Sequence, residues 1–167
     1  LFGIDPISSG TVSIKGQPVK IDNVQDSIKH GMVMVSEDRK RYGIIPVRDC
    51  KENISLSSLE KVRNLFGIDH RKERQRDTEI SKRMNVKTPS LETLISSLSG
   101  GNQQKIVIAK WLLCSPEILL LDEPTRGIDV GAKFEIYKLI TELAKEGKAV
   151  LMISSEMEEL IGVCDRI

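Results

Sequence analysis

The sequence predicts an α/β fold in which helices flank a largely parallel sheet. Three short apolar runs, each bounded by polar or turn residues, are typical of buried strands: residues 32–35, 118–121 and 149–153. Helix-compatible sequence precedes the second run and separates it from the third, an order that is typical of parallel sheets. With 40% hydrophobic and 29% charged residues, the 167-residue chain suits a soluble globular protein of about one domain.

The stretch from residue 98 to residue 123, LSGGNQQKIVIAKWLLCSPEILLLDE, carries most of the functional information. Ser99 is a suitable helix N-cap, because its hydroxyl can accept a hydrogen bond from a free first-turn N–H. Gly100 and Gly101 have no Cβ atoms to keep a ligand away from those N–H groups. Helix-compatible sequence follows over residues 102–114. A helix start with exposed donors, a hydroxyl and the positive end of the dipole predicts a phosphate site.

Two carboxylates, Asp122 and Glu123, follow the second apolar run. Open α/β sheets bind ligands at the carboxyl ends of their strands. There Asp122 can hold Mg²⁺, and Glu123 can orient a water for attack on phosphorus. Each of these two motifs also has a plainer interpretation, because Ser-Gly-Gly is often only a turn and Asp-Glu often only caps the next helix. Both motifs together, in this order and spacing, are far more specific for a nucleotide site.

The same stretch resembles the signature motif and the Walker B motif of ATP-binding cassette (ABC) ATPases. LSGGN in place of LSGGQ, followed by QQK, is similar to the second cassette of the tandem ATPase subunits of bacterial ribose and galactose/methyl-galactoside importers. The resemblance implies a P-loop NTPase core with an inserted helical subdomain. It divides the chain into a partial core with a β-hairpin region and Q-loop (1–49), the helical subdomain (50–97), and the part of the core with the signature helix, Walker B, D-loop and H-loop (98–167).

The resemblance also implies roles for individual residues. Nucleotide contacts are implied for the signature residues and their neighbour: Ser99, Gly100, Gly101, Asn102 and Gln103. Asp122 would bind Mg²⁺, and Glu123 would polarise the attacking water. Asp129 ends the D-loop, residues 124–129, which in the resembled family crosses to the opposite cassette, so a nucleotide contact is implied for Asp129 as well. Asp129 also suits the N-cap of the next helix. Glu37 stands where the family's Q-loop has glutamine, and Ser155 stands where its H-loop has histidine, so both nucleotide-contacting positions depart from the family pattern.

The phosphate-binding loop GxxxxGK[ST] is absent from residues 1–167. Residues 1–21 look like a helix end followed by a β-hairpin, which the family has just after its Walker A helix. The last three residues enter what should be another strand. We therefore expect a fragment truncated at both ends and inactive in isolation.

The expected function follows from the head-to-tail stacking of two cassettes in the resembled family, where each nucleotide lies between one cassette's core and the other's signature. The intact signature should act in trans on the partner cassette's ATP, while Glu37 and Ser155 indicate a weak site in this cassette. With ATP and Mg²⁺ as cofactors, the protein would power import of a monosaccharide of the galactose/methyl-galactoside or ribose type. Expected partners are the other cassette (the N-terminal half of the same chain, or a second copy), transmembrane permease subunits and, indirectly, a periplasmic or extracellular sugar-binding protein. The expected location is peripheral, on the cytoplasmic face of the cell membrane.

Two other functions remain open: a soluble ABC ATPase of DNA repair or translation, and a non-catalytic scaffold cassette. Residues 70–87 carry seven Lys and Arg against three acids, but they lack the interleaved aromatics of a nucleic-acid helix, and the net charge of the chain is only +1. We therefore expect no nucleic-acid partner. Intact Asp122 and Glu123 favour catalysis over a scaffold role. Three isolated cysteines predict neither a zinc site nor a disulfide framework.

Overall fold

A computed structural model describes residues 1–65 and 67–167 of the chain. Its strands are β1 (Val12–Ile14), β2 (Gln17–Val19), β3 (Met32–Val35), β4 (Arg63–Asn64), β5 (Gly67–Ile68), β6 (Ile118–Asp122) and β7 (Ala149–Ile153). Its α-helices are α1 (Val24–Lys29), α2 (Cys50–Ser55), α3 (His70–Arg83), α4 (Gly100–Leu112), α5 (Val130–Lys145) and α6 (Met157–Val163). A π-helical turn covers Arg39–Gly43, and short 3₁₀ segments cover Leu56–Val62 and Ile95–Ser97. None of the helices in the described ranges is long and apolar enough to cross a membrane.

The central sheet is parallel, as predicted, with the strand order β3-β6-β7. Strand β6 lies in the middle, where Leu119 and Leu121 are fully buried, as expected of a strand covered on both faces. The prediction that residues 149–153 are a buried strand is wrong in one respect. The strand forms, but Leu151 and Ile153 remain 43% and 52% exposed, because within the described residues β7 pairs with β6 alone and lies at the sheet edge.

The β-hairpin predicted near the start of the chain is present, with three residues in each of its strands, β1 and β2. Lys15 and Gly16 both have positive φ, 52° and 75°, which defines a two-residue turn of the kind that matches the twist of paired strands. This turn sets Ile14 opposite Gln17, so the return strand begins at Gln17. Behind the hairpin, a small apolar cluster joins it to the sheet: Phe2, Ile21, Met32 and Leu120.

Helix α4 is the central helix of the fold and is buried on almost every side. It begins at Gly100 and ends at Leu112, two residues before the predicted end at residue 114. Its apolar residues belong to one core with the sheet, α5 and the helical segment between residues 50 and 97. Representative members are Val35 of β3, Ile54 of α2, Ile80 of α3, Ile106 of α4 and Ile140 of α5. The predicted three-part division of the chain remains a prediction, since this core runs through all three parts.

Candidate functional site

The predicted site residues that follow the three parallel strands lie along one edge of the sheet. Strand β3 ends at Val35, β6 at Asp122 and β7 at Ile153. The segments that come next, residues 36–38, 123–129 and 154–156, therefore meet at the carboxyl edge, where open α/β sheets bind ligands.

Glu123 and Ser155 are in direct contact. The backbone N–H of Ser155 donates a 2.6 Å hydrogen bond to Oε1 of Glu123. The N–H of Glu123 in turn donates to the carbonyl of Ile153 at 2.9 Å. Glu123 has a φ of +48°, a conformation that non-glycine residues seldom adopt and that is often found at functional sites. The backbone of Glu123 is therefore held by Ile153 at the end of β7, and its carboxylate is held by the loop that follows.

A buried carboxylate that the sequence did not reveal, Glu159 of α6, lies beneath this contact and is 5% exposed. Among the described residues, its oxygens accept hydrogen bonds of 2.6–2.9 Å from four side chains: Thr125, Lys133, Tyr137 and Ser154. Burial alone would raise the pKa of Glu159, but these donors outweigh it and lower that pKa to about 2. Glu159 therefore stays ionised and ties the loop after β6 to the loop after β7.

The Q-loop and D-loop segments are joined by charged residues. Glu37 and Arg126 form an ion pair. In the opposite direction, the Arg39 guanidinium donates to the carbonyls of Arg126 at 2.8 Å and Gly127 at 3.3 Å. Arg39 was not singled out from the sequence, because a run of charged residues such as SEDRKR is typical of a solvated loop.

The start of α4 differs in detail from its prediction. Ser99 occupies the N-cap position, but its side chain makes no capping bond to a first-turn N–H, so that prediction is wrong. The Ser99 Oγ accepts instead from the side chain of Asn102 at 3.0 Å, and Asn102 also accepts from the backbone of Lys87 at 2.8 Å. Ser99 is exposed, whereas Gln103 is buried and donates to the carbonyls of Ile95 and Leu98.

Both signature glycines have neighbours within the chain that require the absence of a side chain. A Cβ placed on Gly100 would lie 2.7 Å from Nη2 of Arg39. A Cβ placed on Gly101 would overlap the Cβ of Ala132 in α5. The predicted reason for these glycines was access for a ligand, and the fold adds a second reason, which is close packing against the Q-loop and α5.

Asp129 caps α5, as the sequence predicts, because its side chain accepts from the N–H of Ala132 at 3.0 Å. The carboxylate is otherwise exposed at the end of the D-loop. Its structural role is therefore established, and its predicted role toward nucleotide stays a prediction.

The carboxylate of Asp122 suits a magnesium ion whose other ligands are phosphate oxygens and water. In the part of the chain that the structure describes, no three His, Cys, Asp or Glu side chains are grouped so as to hold a metal by themselves. Mg²⁺ is usually held by one or two carboxylates together with phosphate oxygens and water. Asp122, half-buried at the end of β6, offers a carboxylate of that kind.

The fold is that of ATP-binding cassettes. CbiO1 from Clostridium perfringens, described as part of the ABC transporter complex cbiONQ, has a TM-score of 0.75 at 24% identity, over 98% of this chain and 62% of that chain. The ATP-binding cassette MJ0796, in a dimeric post-hydrolysis state bound to ADP and Pi, has a TM-score of 0.73 at 23% identity, over 93% of this chain and 67% of that one.

The chain belongs to the ABC transporter family, whose model matches residues 1–126. It is 54% identical, over 95% of its length, to the xylose import ATP-binding protein XylG of Geobacillus kaustophilus, and it covers 31% of that protein. It is 49% identical over its whole length to the ribose import ATP-binding protein RbsA of Clostridium perfringens (34% covered) and 50% identical to the galactose/methyl galactoside import ATP-binding protein MglA of Escherichia coli (33% covered). The chain thus spans about a third of the length of the curated relatives it matches.

Proposed function

We propose that this chain is part of the second cassette of a tandem ATPase subunit that powers import of a monosaccharide. The proposal is supported by three relatives whose names are those of xylose, ribose and galactose import ATP-binding proteins. The observation that carries it is the Glu123 carboxylate at the carboxyl edge of the sheet, held by the amide of Ser155 at 2.6 Å. A fixed carboxylate at the end of a central strand suits the positioning of a water molecule.

Within this cassette, Asp122 would hold Mg²⁺ and Glu123 would orient the attacking water. ATP bound with Mg²⁺ would supply a γ-phosphoryl group, and its transfer from ADP to water would release the energy for transport. The chain's own Q-loop and H-loop positions suit binding better than fast hydrolysis. Glu37 is already paired with Arg126, and Ser155 has no imidazole to offer. These two features favour a weak site in this cassette.

The signature residues would act on nucleotide held by the other cassette. Ser99 is exposed at the start of α4, beside the first-turn N–H groups of Gly100 and Gly101, which have no partner within the helix itself. A helix N-terminus of this kind stabilises anionic oxygens through its amides and its dipole. Ser99, Gly100, Gly101 and Asn102 would therefore contact the partner's phosphates. Gln103, which is buried against residues 95 and 98, would support the loop that carries them.

An exposed apolar patch beside the Q-loop suits the proposed permease partner. It consists of Tyr42, Ile45, Val47 and Leu94, of which Val47 is 79% exposed. Backbone contacts join the segment of Leu94 to the residues that follow Val47, because residues 49 and 94 form a β-bridge and the Ile95 N–H donates to the Arg48 carbonyl. Grouped exposed apolar side chains mark protein interaction sites. Through this patch the cassette would dock on transmembrane subunits at the cytoplasmic face of the membrane, with a periplasmic or extracellular sugar-binding protein acting on the other side.

Transport in proteoliposomes tests this function. The full-length protein, co-reconstituted with its permease and binding protein and supplied with Mg²⁺ and ATP on the cassette side, should accumulate one of xylose, ribose or galactose. Ser99→Ala should slow uptake strongly, and Glu123→Gln should slow it only slightly, because this cassette's own site is proposed to be weak. Lys40→Ala, which removes an exposed charge in the same region, should leave uptake unchanged. Uptake that does not depend on ATP, or hydrolysis stimulated by nucleic acid rather than by the sugar-loaded binding protein, would contradict the proposal.

A further inference from the structure

The guanidinium of Arg39 lies where three segments of the cassette meet. Arg39 is the first residue of the π-helical turn after β3. Both Nη atoms of its side chain donate to backbone carbonyls of the D-loop, those of Arg126 and Gly127. On its other side, Nη2 lies against the first residue of α4, so close that a Cβ on Gly100 would be 2.7 Å away. A single side chain therefore connects the Q-loop, the D-loop and the start of the signature helix.

This connection is reinforced in the opposite direction. Arg126, whose carbonyl accepts from Arg39, sends its own side chain back to Glu37. Residues 37–39 and 126–127 are thus joined by two arginine side chains: Arg39 reaches the D-loop, and Arg126 reaches the Q-loop. The carbonyl of Gly127 also lies next to Gly100, at 3.2 Å from the position of an added Cβ. The D-loop and the helix start are therefore packed against each other with Arg39 beside both.

The chemistry at this position suits arginine and not lysine. Two carbonyls on adjacent residues are met by the two terminal nitrogens of one planar group, which a single ammonium on a flexible stem cannot reproduce. Arg39 is half-buried, and its Nε is enclosed without a hydrogen-bond partner among the described residues. The side chain is thus held in place by the hydrogen bonds of its two Nη atoms and by the residues that enclose its Nε.

We propose that Arg39 is a positioning residue that holds the D-loop and the start of the signature helix in one arrangement. The proposal rests on the proposed function, in which these two segments face the nucleotide of the partner cassette. Arg39 acts by keeping Gly127 and Gly100 together, so that the surface offered to the partner is assembled before the cassettes close.

Hydrogen–deuterium exchange of the full-length, nucleotide-free protein tests the positioning directly. In Arg39→Ala, amides of the D-loop (residues 124–129) and the first turn of α4 should exchange faster, while the centre of α4 and strand β6 keep their protection. Arg39→Lys should be intermediate, because it retains one donor group. Lys40→Ala, which removes the same charge from an exposed neighbour, should match the unmodified protein. Unchanged D-loop exchange in Arg39→Ala would overturn the proposal.

The kinetic consequence is measured on the same variants. Misplacement of a catalytic surface by about 1 Å can cost on the order of a hundredfold in rate. Arg39→Ala should therefore lower kcat of the full-length protein by about tenfold to a hundredfold, with little change in KM for ATP, and Arg39→Lys should recover part of the loss. Faster exchange with unchanged kcat would confirm that Arg39 holds the two segments, and would instead contradict the proposed function, in which these segments face the partner's nucleotide. The exchange result does not depend on the trans assignment, so a failure of the proposed function is distinguishable from a failure of this inference.

Discussion

The amide of Ser155 and the carboxylate of Glu123 are joined by a 2.6 Å hydrogen bond. The donor is a backbone group, so the contact does not require a particular side chain at position 155. A histidine is therefore unnecessary for holding Glu123 in place. The serine side chain carries no imidazole, so the backbone contact at this position is independent of any role that a histidine side chain would have there.

Glu123→Gln should slow turnover at this cassette's own site while leaving nucleotide binding largely intact. Glutamine keeps an oxygen that can accept from the Ser155 amide, but it lacks the negative charge that, in the proposed function, would polarise water. Single-turnover hydrolysis and equilibrium nucleotide binding on the full-length protein check this. Because the site is proposed to be weak, the steady-state rate should fall only slightly. Loss of binding without loss of hydrolysis would contradict the role of Glu123.

Glu159→Gln should lower the free energy of unfolding by about 2–3 kcal/mol at pH 7, since four donors then face a group that lacks the charge and presents two N–H groups of its own. The pKa of Glu159 is lowered from 4.5 to about 2 in the fold. Its stabilisation is therefore complete above about pH 4.5 and is lost as the pH falls toward 2. The difference between the variant and the unmodified chain in urea unfolding should shrink between pH 5 and about pH 2.

Glu156→Gln is the matched control for this variant. Glu156 pairs with the same Lys133, at 2.5 Å, but its side chain is 57% exposed, so the change should cost less than about 1 kcal/mol. Equal losses for the two variants would show that Lys133, and not the buried network, accounts for the stabilisation.

Asp77→Asn should stabilise the chain at neutral pH. Asp77 of α3 is 1% exposed, and its Oδ2 has no hydrogen-bond partner among the described residues. Burial, helped by the nearby Glu73, raises the pKa of Asp77 from 3.8 to about 7. Stability should therefore fall as the pH rises from about 4 to 7, because the unfolded chain releases this proton first. The variant should lack that fall and gain about 1–2 kcal/mol at pH 8 in urea unfolding. A gain of the same size at pH 4 would contradict this origin.

Gly101→Ala should destabilise the chain by about 1–3 kcal/mol, because its Cβ would overlap that of Ala132. In the double variant with Ala132→Gly, most of the lost free energy of unfolding should be recovered, because the overlap is removed. What remains should be the helix-propensity cost of a glycine in α5. Thermal unfolding of the two single variants and the double variant measures the coupling. Strict additivity would show that the two residues do not meet. Larger residues at Gly101 are unsuitable probes of dimer closure, because they disturb this internal contact first.

The parts of the fold that follow from local sequence were predictable. The positions of the apolar strands, the start of α4 after Ser99 and the cap of α5 by Asp129 all depend on residues within a few positions. Arg39 and Glu159 were not, because Arg39 meets a carbonyl 87 positions away and Glu159 meets Thr125 at a separation of 34. A charged side chain carries no local signal that tertiary structure will bury it.

The resemblance to ABC ATPases was confirmed at the level of family and fold. The predicted hydrogen bond from a first-turn N–H to the Ser99 hydroxyl was wrong, because that prediction considered only backbone donors. In the structure, the side-chain amide of Asn102 donates to the Ser99 hydroxyl instead.

The action of the signature on the partner cassette is tested most directly by the steady-state ATPase rate of the full-length protein with Ser99→Ala. Ser99 has the advantage over the glycines that its loss removes one contact with Asn102 and no close packing. If its hydroxyl is a preorganised donor to the partner's nucleotide, kcat should fall by up to about 10²–10³, while Ser155→Ala should leave kcat almost unchanged. An unchanged rate in Ser99→Ala, or an equal loss in Ser155→Ala, would contradict a working site completed in trans beside a weak site in this cassette.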